Sequence, residues 1–131
     1  VQGVPHEAIS AYGAIDPIEV EDGVYRVKDI IEKPAVDDAP SDLAARGRYV
    51  LGPEIFNALR ATSPGVGGEI QLTDGLRLLL QEQELYAYEH NGPIYDVGKK
   101  LDYLKASIEL ALRRDDLAPA LKQYLSKRGD L

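Results

Sequence analysis

The chain has 131 residues, 15 of them Lys or Arg and 22 Asp or Glu, for a formal charge of -7. This length supports one hydrophobic core and leaves a second autonomous domain cramped. The acidity disfavours broad attraction to nucleic-acid phosphates or anionic lipid, so neither nucleic acid nor membrane is expected as a partner and an anionic ligand has to be held locally. The absence of Cys excludes a disulfide scaffold, a thiolate nucleophile and a thiolate metal site, and agrees with a cytoplasmic location.

Hydrophobic residues at 44% and charged residues at 28% predict a folded, soluble chain. The longest apolar runs, such as residues 78–80, fall far short of the ~20 needed to span a bilayer. The start, VQGVPHEAIS, has neither an initiator Met nor a basic region leading into an apolar stretch. A fragment of a longer protein is therefore expected.

In chain order, residues 11–16 and 24–31 are rich in β-branched and aromatic side chains, with Asp22-Gly23 as a turn between them, and predict two strands. Lys28 and Asp29 interrupt the alternation of the second strand, which predicts a bulge or a strand end there. Pro34 removes a backbone donor and stops that strand. Residues 35–46 read as a loop and residues 47–52 as a short strand flanked by glycines.

Pro53 suits the first turn of a short helix in which Ile55, Phe56 and Leu59 share a face. After a loop at 62–68, Leu72, Leu76, Leu79 and Leu80 recur at helical spacing and predict a helix over about 71–83. Residues 85–89 and 93–98 read as strands around Asn91, Gly92 and Pro93. From Lys99 to Arg114 an apolar stripe of Leu101, Leu104, Ile108, Ala111 and Leu112 predicts a helix, with a shorter one over 117–128. Strands first, a helical region between them and two helices at the end give an α/β or α+β layer architecture without a complete run of βαβ units.

Few segments carry chemistry. The stretch PGVGGEIQLTD (64–74) puts glycines ahead of a helix, an arrangement able to cradle phosphate. It lacks the Lys and Ser/Thr of a Walker loop and the spacing of a dinucleotide fingerprint, so an ordinary loop and capped helix is the competing reading. His6 and His90 have no metal-ligand spacing and read as surface residues. No Gly-x-Ser-x-Gly occurs. Asp96, in YDVG (95–98), is either a carboxylate projecting past a strand end toward a cation or the N-cap of the helix that follows.

Glu32 and Lys33 are harder to dismiss. Neighbours on an extended backbone point to opposite faces, so they are badly placed to neutralise each other. Pro34 bends the chain immediately after them, and at the carboxyl end of a sheet such a bend can turn both toward one crevice, where ligands of open α/β sheets collect.

Through AYGAID, IIEKP, APSDLAARGRYVLGPEIF, PGVGGEIQLTD and YDVGKKLDYLKASIELALRR the sequence resembles the bacterial UTP:glucose-1-phosphate uridylyltransferases, or UDP-glucose pyrophosphorylases, of the sugar nucleotidyltransferase superfamily. The resemblance implies the C-terminal part of a Rossmann-like α/β nucleotidyltransferase fold, with a mixed sheet, flanking helices and two C-terminal helices. It implies residues 1–98 as the sugar-phosphate-binding part and 99–131 as a helical segment available for an oligomer contact.

The implied reaction joins UTP and glucose-1-phosphate to give UDP-glucose and pyrophosphate with Mg²⁺, in an enzyme expected to be a homo-oligomer when full length. By the same resemblance Gly13 and Glu32 contact the sugar and Lys33, as the catalytic residue, reaches its phosphate. Main-chain contacts near the sugar fall on residues 44–47, including Ala45 and Gly47, and Asp96 matches a metal ligand. Tyr12 and residues 71–74 match supporting positions. Asp42 stands where the family pattern has Asn, which puts the hydrogen bonding of that loop in question.

The family's nucleotide-gripping Gly-rich loop and a second metal-binding Asp have no counterpart in these residues, so the chain alone is expected to be inactive. The alternatives are a glucose-1-phosphate thymidylyltransferase and a non-catalytic sugar-phosphate-binding or assembly module.

Overall fold

The computed structural model describes residues 1–129, in two units that divide after Asn91. The first unit carries strands β1 (Gln2–Gly3), β2 (Gly13–Glu21), β3 (Val24–Glu32) and β4 (Leu43–Ala45), helices α1 (Ile55–Ala61) and α2 (Leu72–Leu79), and strand β5 (Leu85–Tyr88). The strands form one sheet in the order β1-β4-β2-β3-β5. Every pairing among the described residues is antiparallel, so the α/β class holds while the sheet is not the mixed one expected.

The β2-β3 hairpin is the centre of the sheet. Gly23 closes its turn at φ 69°, a backbone that a side chain would strain. Asp16 pairs with Asp29 but Pro17 with Val27, so Lys28 is the extra residue of a bulge at the place where the alternation breaks. Pro17, which has no N–H to give, sits beside that irregularity.

Alternation along β2 then separates two clusters. Ile15 packs with Val27, Ile30, Ile55, Leu76 and Leu79 on the face covered by α1 and α2. Its neighbour Ala14 turns to the opposite face and meets Ile9 and Ala44. Each fully buried Ile or Leu contributes about 1.5–3 kcal/mol, and α2 is further tied to β3 by the fork of Arg77 on Asp29, with both contacts at 2.7 Å.

Several local expectations are corrected. The loop predicted over 35–46 contains β4, whose three residues pair with both β1 and β2. Residues 47–52 are irregular, not a strand, and Val50 is fully exposed. The apolar run there has the composition of a strand, but no strand among the described residues pairs with it. Phe56 is 61% exposed and does not share the buried face of Ile55, and α2 ends at Leu79 rather than near residue 83.

The second unit begins at Gly92, ahead of the boundary at 98/99 implied by resemblance. Residues 93–98 form no strand. The unit consists of that irregular segment followed by α3 (Lys100–Leu112) and α4 (Ala118–Ser126), the latter with Pro119 in its first turn. Leu101, Leu104 and Ile108 of the apolar stripe are exposed, and Ala106 is the buried residue of α3. No helix among the described residues is long and apolar enough to cross a membrane.

Candidate functional site at the end of the central hairpin

Register brings the site together. Ile15 pairs with Ile30 deep in the core, and one pleat further along Gly13 pairs with Glu32 on one side and with Ala45 on the other. Paired residues lie on the same face of a sheet and that face repeats every second residue. Gly13, Glu32 and Ala45 therefore continue the core surface beneath α2 to its rim, where the apolar row ends in a carboxylate.

Thr73, in the first turn of α2, meets this rim from above. It is the one buried polar side chain among the described residues, 7% exposed. Its hydroxyl donates to Glu32 Oε2 at 2.5 Å. Gly13 makes the room for the pair, since a Cβ at that position would lie 3.3 Å from Glu32 Oε2 and 3.5 Å from Thr73 Oγ1. Glu32 Oε1 has no hydrogen bond or ion pair with the described residues.

Lys33 follows at the strand end. It is the only non-glycine residue with positive φ among those described, at 43°, a region that costs an L-residue about 1–2 kcal/mol. Such strain persists only where its surroundings hold it. Here the Lys33 N–H donates to the Tyr12 carbonyl at 3.0 Å, and Pro34 is buried immediately after. The Lys33 side chain is exposed and takes part in no ion pair with the described residues.

Tyr12 is thus a backbone anchor for Lys33, and its ring carries the Arg46 guanidinium 4.6 Å from the centroid. Arg46 also donates to Gln2 at 3.0 Å. Gly47 turns the chain at φ 92° with open space where a side chain would stand. Tyr49 lies beyond it, its phenol pushed up first by burial and then by the Glu32 carboxylate.

Asp96 belongs to the second unit. It is not the N-cap of α3, whose cap position is Lys99 and makes no side-chain cap bond. Instead Asp96 accepts the Gly98 N–H at 3.2 Å, and its other oxygen lies 3.5 Å from the Lys99 ammonium. Among the described residues no group of three or more His, Cys, Asp or Glu is arranged to hold a metal.

Asp42, the departure from the family pattern, is taken up by His6, with Nδ1 2.6 Å from its carboxylate. That contact, and the carboxylate field behind it, holds the His6 imidazole above its ordinary value. The same loop is also held by Ser41, whose hydroxyl donates to the Ile15 carbonyl at 2.7 Å and accepts from the Leu43 N–H at 3.1 Å, and by the Asp42 carbonyl, which accepts the Val4 N–H at 3.0 Å.

Of the residues expected from sequence, the structure gathers Tyr12, Gly13, Glu32, Lys33 and Ala45 at one end of the β2-β3-β4 sheet. Thr73, assigned at most a supporting place, is bonded to Glu32, and Tyr49 had no assigned place. A polar residue at position 73 three residues before Leu76, on the buried side of α2, was the signal for the first. Tyr49 had none, because its segment read as a strand.

The fold is that of a nucleotidyltransferase-type α/β protein, with an acid and a lysine consecutive in sequence at the end of its central hairpin. The chain belongs to the nucleotidyl transferase family, whose model matches residues 1–112. It is 49% identical over 130 residues to the UTP–glucose-1-phosphate uridylyltransferase of Streptococcus pneumoniae, a match that covers 98% of this chain and 44% of that protein. A putative enzyme of the same name from Methanocaldococcus jannaschii is 43% identical over 127 residues, covering 97% of this chain and 44% of its own length.

Among solved structures, a UDP-glucose pyrophosphorylase complexed with UDP-glucose superposes with a TM-score of 0.80 at 43% identity, over 86% of this chain and 43% of that one. A UTP-bound UGPase from Acinetobacter baumannii gives 0.81 at 36% identity, over 95% and 42%. The chain spans less than half the length of these relatives.

Proposed function

We propose that this chain is the sugar-phosphate-binding part of a nucleotidyltransferase that forms UDP-glucose and pyrophosphate from UTP and glucose-1-phosphate. The observation that carries the reading is the pairing at the hairpin end: a Glu32 carboxylate seated in the space left by Gly13, and beside it a lysine held in a strained backbone. Its support is the family match and the likeness to uridylyltransferases 43–49% identical.

A phosphomonoester has a second pKa near 6, so the acceptor is already an ionised nucleophile at neutral pH and needs no general base. The obstacle is the approach of one anion to the α-phosphate of another, which positioning and charge neutralisation overcome. Lys33 supplies a cation for the acceptor phosphate. Glu32 accepts hydroxyl donors from the sugar, and a site built to make those bonds rejects analogues lacking them. The phosphate oxygen attacks the α-phosphorus, its bond to the β-phosphate oxygen breaks, and pyrophosphate leaves with that electron pair.

Magnesium is held largely by phosphate oxygens and water and takes only one or two carboxylates. Asp96, a half-buried carboxylate 3.5 Å from the Lys99 ammonium, would supply that share, and the ion would supply positive charge against phosphate. The same reading includes operation in the cytoplasm, where nucleotides and sugar phosphates meet, and assembly of the complete protein as a homo-oligomer.

The test is pyrophosphate release from UTP, glucose-1-phosphate and Mg²⁺ by this chain fused to the remaining portion of the pneumococcal relative, beside the chain alone. Release by the fusion only is the expected result. A folded fusion that binds glucose-1-phosphate but releases nothing would replace the enzyme with a binding module, and preference for dTTP over UTP would reassign the base.

A further inference from the structure

We propose that Thr73 is a positioning residue for sugar recognition: its hydroxyl occupies one oxygen of Glu32 so that the other is presented to the ligand, which sets the site's selectivity for a sugar over a bare phosphate. The inference rests on the sugar-phosphate reading above.

Three observations converge on it. Thr73 is 7% exposed, and a buried hydroxyl without a partner is costly, so its bond is obligatory rather than incidental. That bond is made to Glu32 Oε2 at 2.5 Å, at the short end of the range for a hydroxyl on a carboxylate. Gly13 leaves the room this bond needs, since a Cβ there would lie 3.3 Å from the same oxygen and 3.5 Å from Thr73 Oγ1. Oε1, the oxygen left over, has no partner among the described residues.

A glutamate on a strand end has three side-chain torsions, and a ligand that must freeze them loses affinity. With Oε2 tethered, the carboxylate plane is set before the ligand arrives. The tether also comes from α2, whose first turn follows the glycine-rich stretch 64–68 by a few residues, so that turn acts on the sugar through Glu32. A purely structural role predicts something different: Thr73 would merely fasten α2 to the sheet, and its loss would lower stability without altering what the site prefers.

Calorimetric titration of the whole chain with glucose-1-phosphate and with methyl phosphate, beside thermal melts, separates these. Thr73→Val should weaken glucose-1-phosphate roughly tenfold while leaving methyl phosphate within about twofold, and Thr73→Ser should restore the preference. Thr73→Ala carries the same expectation should valine prevent folding. A variant that melts lower yet keeps the wild-type ratio of the two affinities, or loses both ligands equally, overturns the proposal. Glu32→Gln distinguishes the two levels. If it abolishes sugar selectivity while Thr73→Val does not, the positioning role is wrong and the site stands. If the unaltered chain does not discriminate the two phosphates, the sugar-phosphate reading fails and the role of Thr73 fails with it.

Discussion

Lys33 combines a cation with a backbone held at φ 43°, and replacing it by Ala and by Gly separates the two. Its side chain is exposed and unpaired among the described residues, so Lys33→Ala should change stability by no more than about 0.5 kcal/mol. Lys33→Gly removes the same charge and also relieves the left-handed strain, about 1–2 kcal/mol. Against this, glycine loosens the unfolded chain by about 0.4–1 kcal/mol. The glycine variant should therefore be more stable than the alanine variant by roughly 1 kcal/mol, which for a chain of this size corresponds to about 3–5 °C in Tm. Urea unfolding at constant m-value reads the difference. Both variants should bind glucose-1-phosphate about 10- to 100-fold more weakly, the loss expected for one charge-assisted bond. A glycine variant clearly less stable than alanine would refute the strain argument, and undiminished affinity in either would remove Lys33 from the phosphate.

Gly13→Ala places a methyl carbon 3.3 Å from Glu32 Oε2, so it should push the carboxylate off Thr73 and weaken glucose-1-phosphate several-fold at a stability cost of about 1 kcal/mol; a crystal structure showing the Thr73 bond intact would contradict this. His6 owes its raised pKa first to the hydrogen bond with Asp42 and then to that carboxylate's charge. Because the folded value lies above the ordinary 6.5, the contact's contribution is complete below that pH and is lost as pH rises through the folded pKa. Asp42→Asn should bring the NMR titration of His6 down toward 6.5 and flatten that pH dependence; an unmoved titration would show that the pair is not formed in solution.

The hairpin, its turn at Gly23, the bulge at Lys28 and the stop at Pro34 were legible because each depends on neighbouring residues: a glycine able to take positive φ, a break in period two, a missing N–H. The helices at 55–61, 72–79 and 100–112 followed from apolar spacing for the same reason. Residues 47–52 and 93–98 misled because strand composition describes a side chain's fitness for a pleated surface, whereas a strand exists only where another edge offers its hydrogen bonds. Conversely β4 was hidden in a loop because its three residues are too few to show alternation, and they extend only because β1 and β2 flank them.

The site divides in the same manner. By itself the sequence determined that an acid and a lysine stand together where a strand must end, since proline's ring and missing donor are properties of the chain. Only tertiary structure decided what the acid touches. Cross-strand register carried Glu32 to Gly13, packing of α2 on the hairpin lowered Thr73 onto it across 41 positions of sequence, and a hydrogen bond to Tyr12 held Lys33 in a conformation its own preferences oppose. Contacts between residues distant along the chain depend on where elements pack, and that is a property of the folded core rather than of any local run of residues.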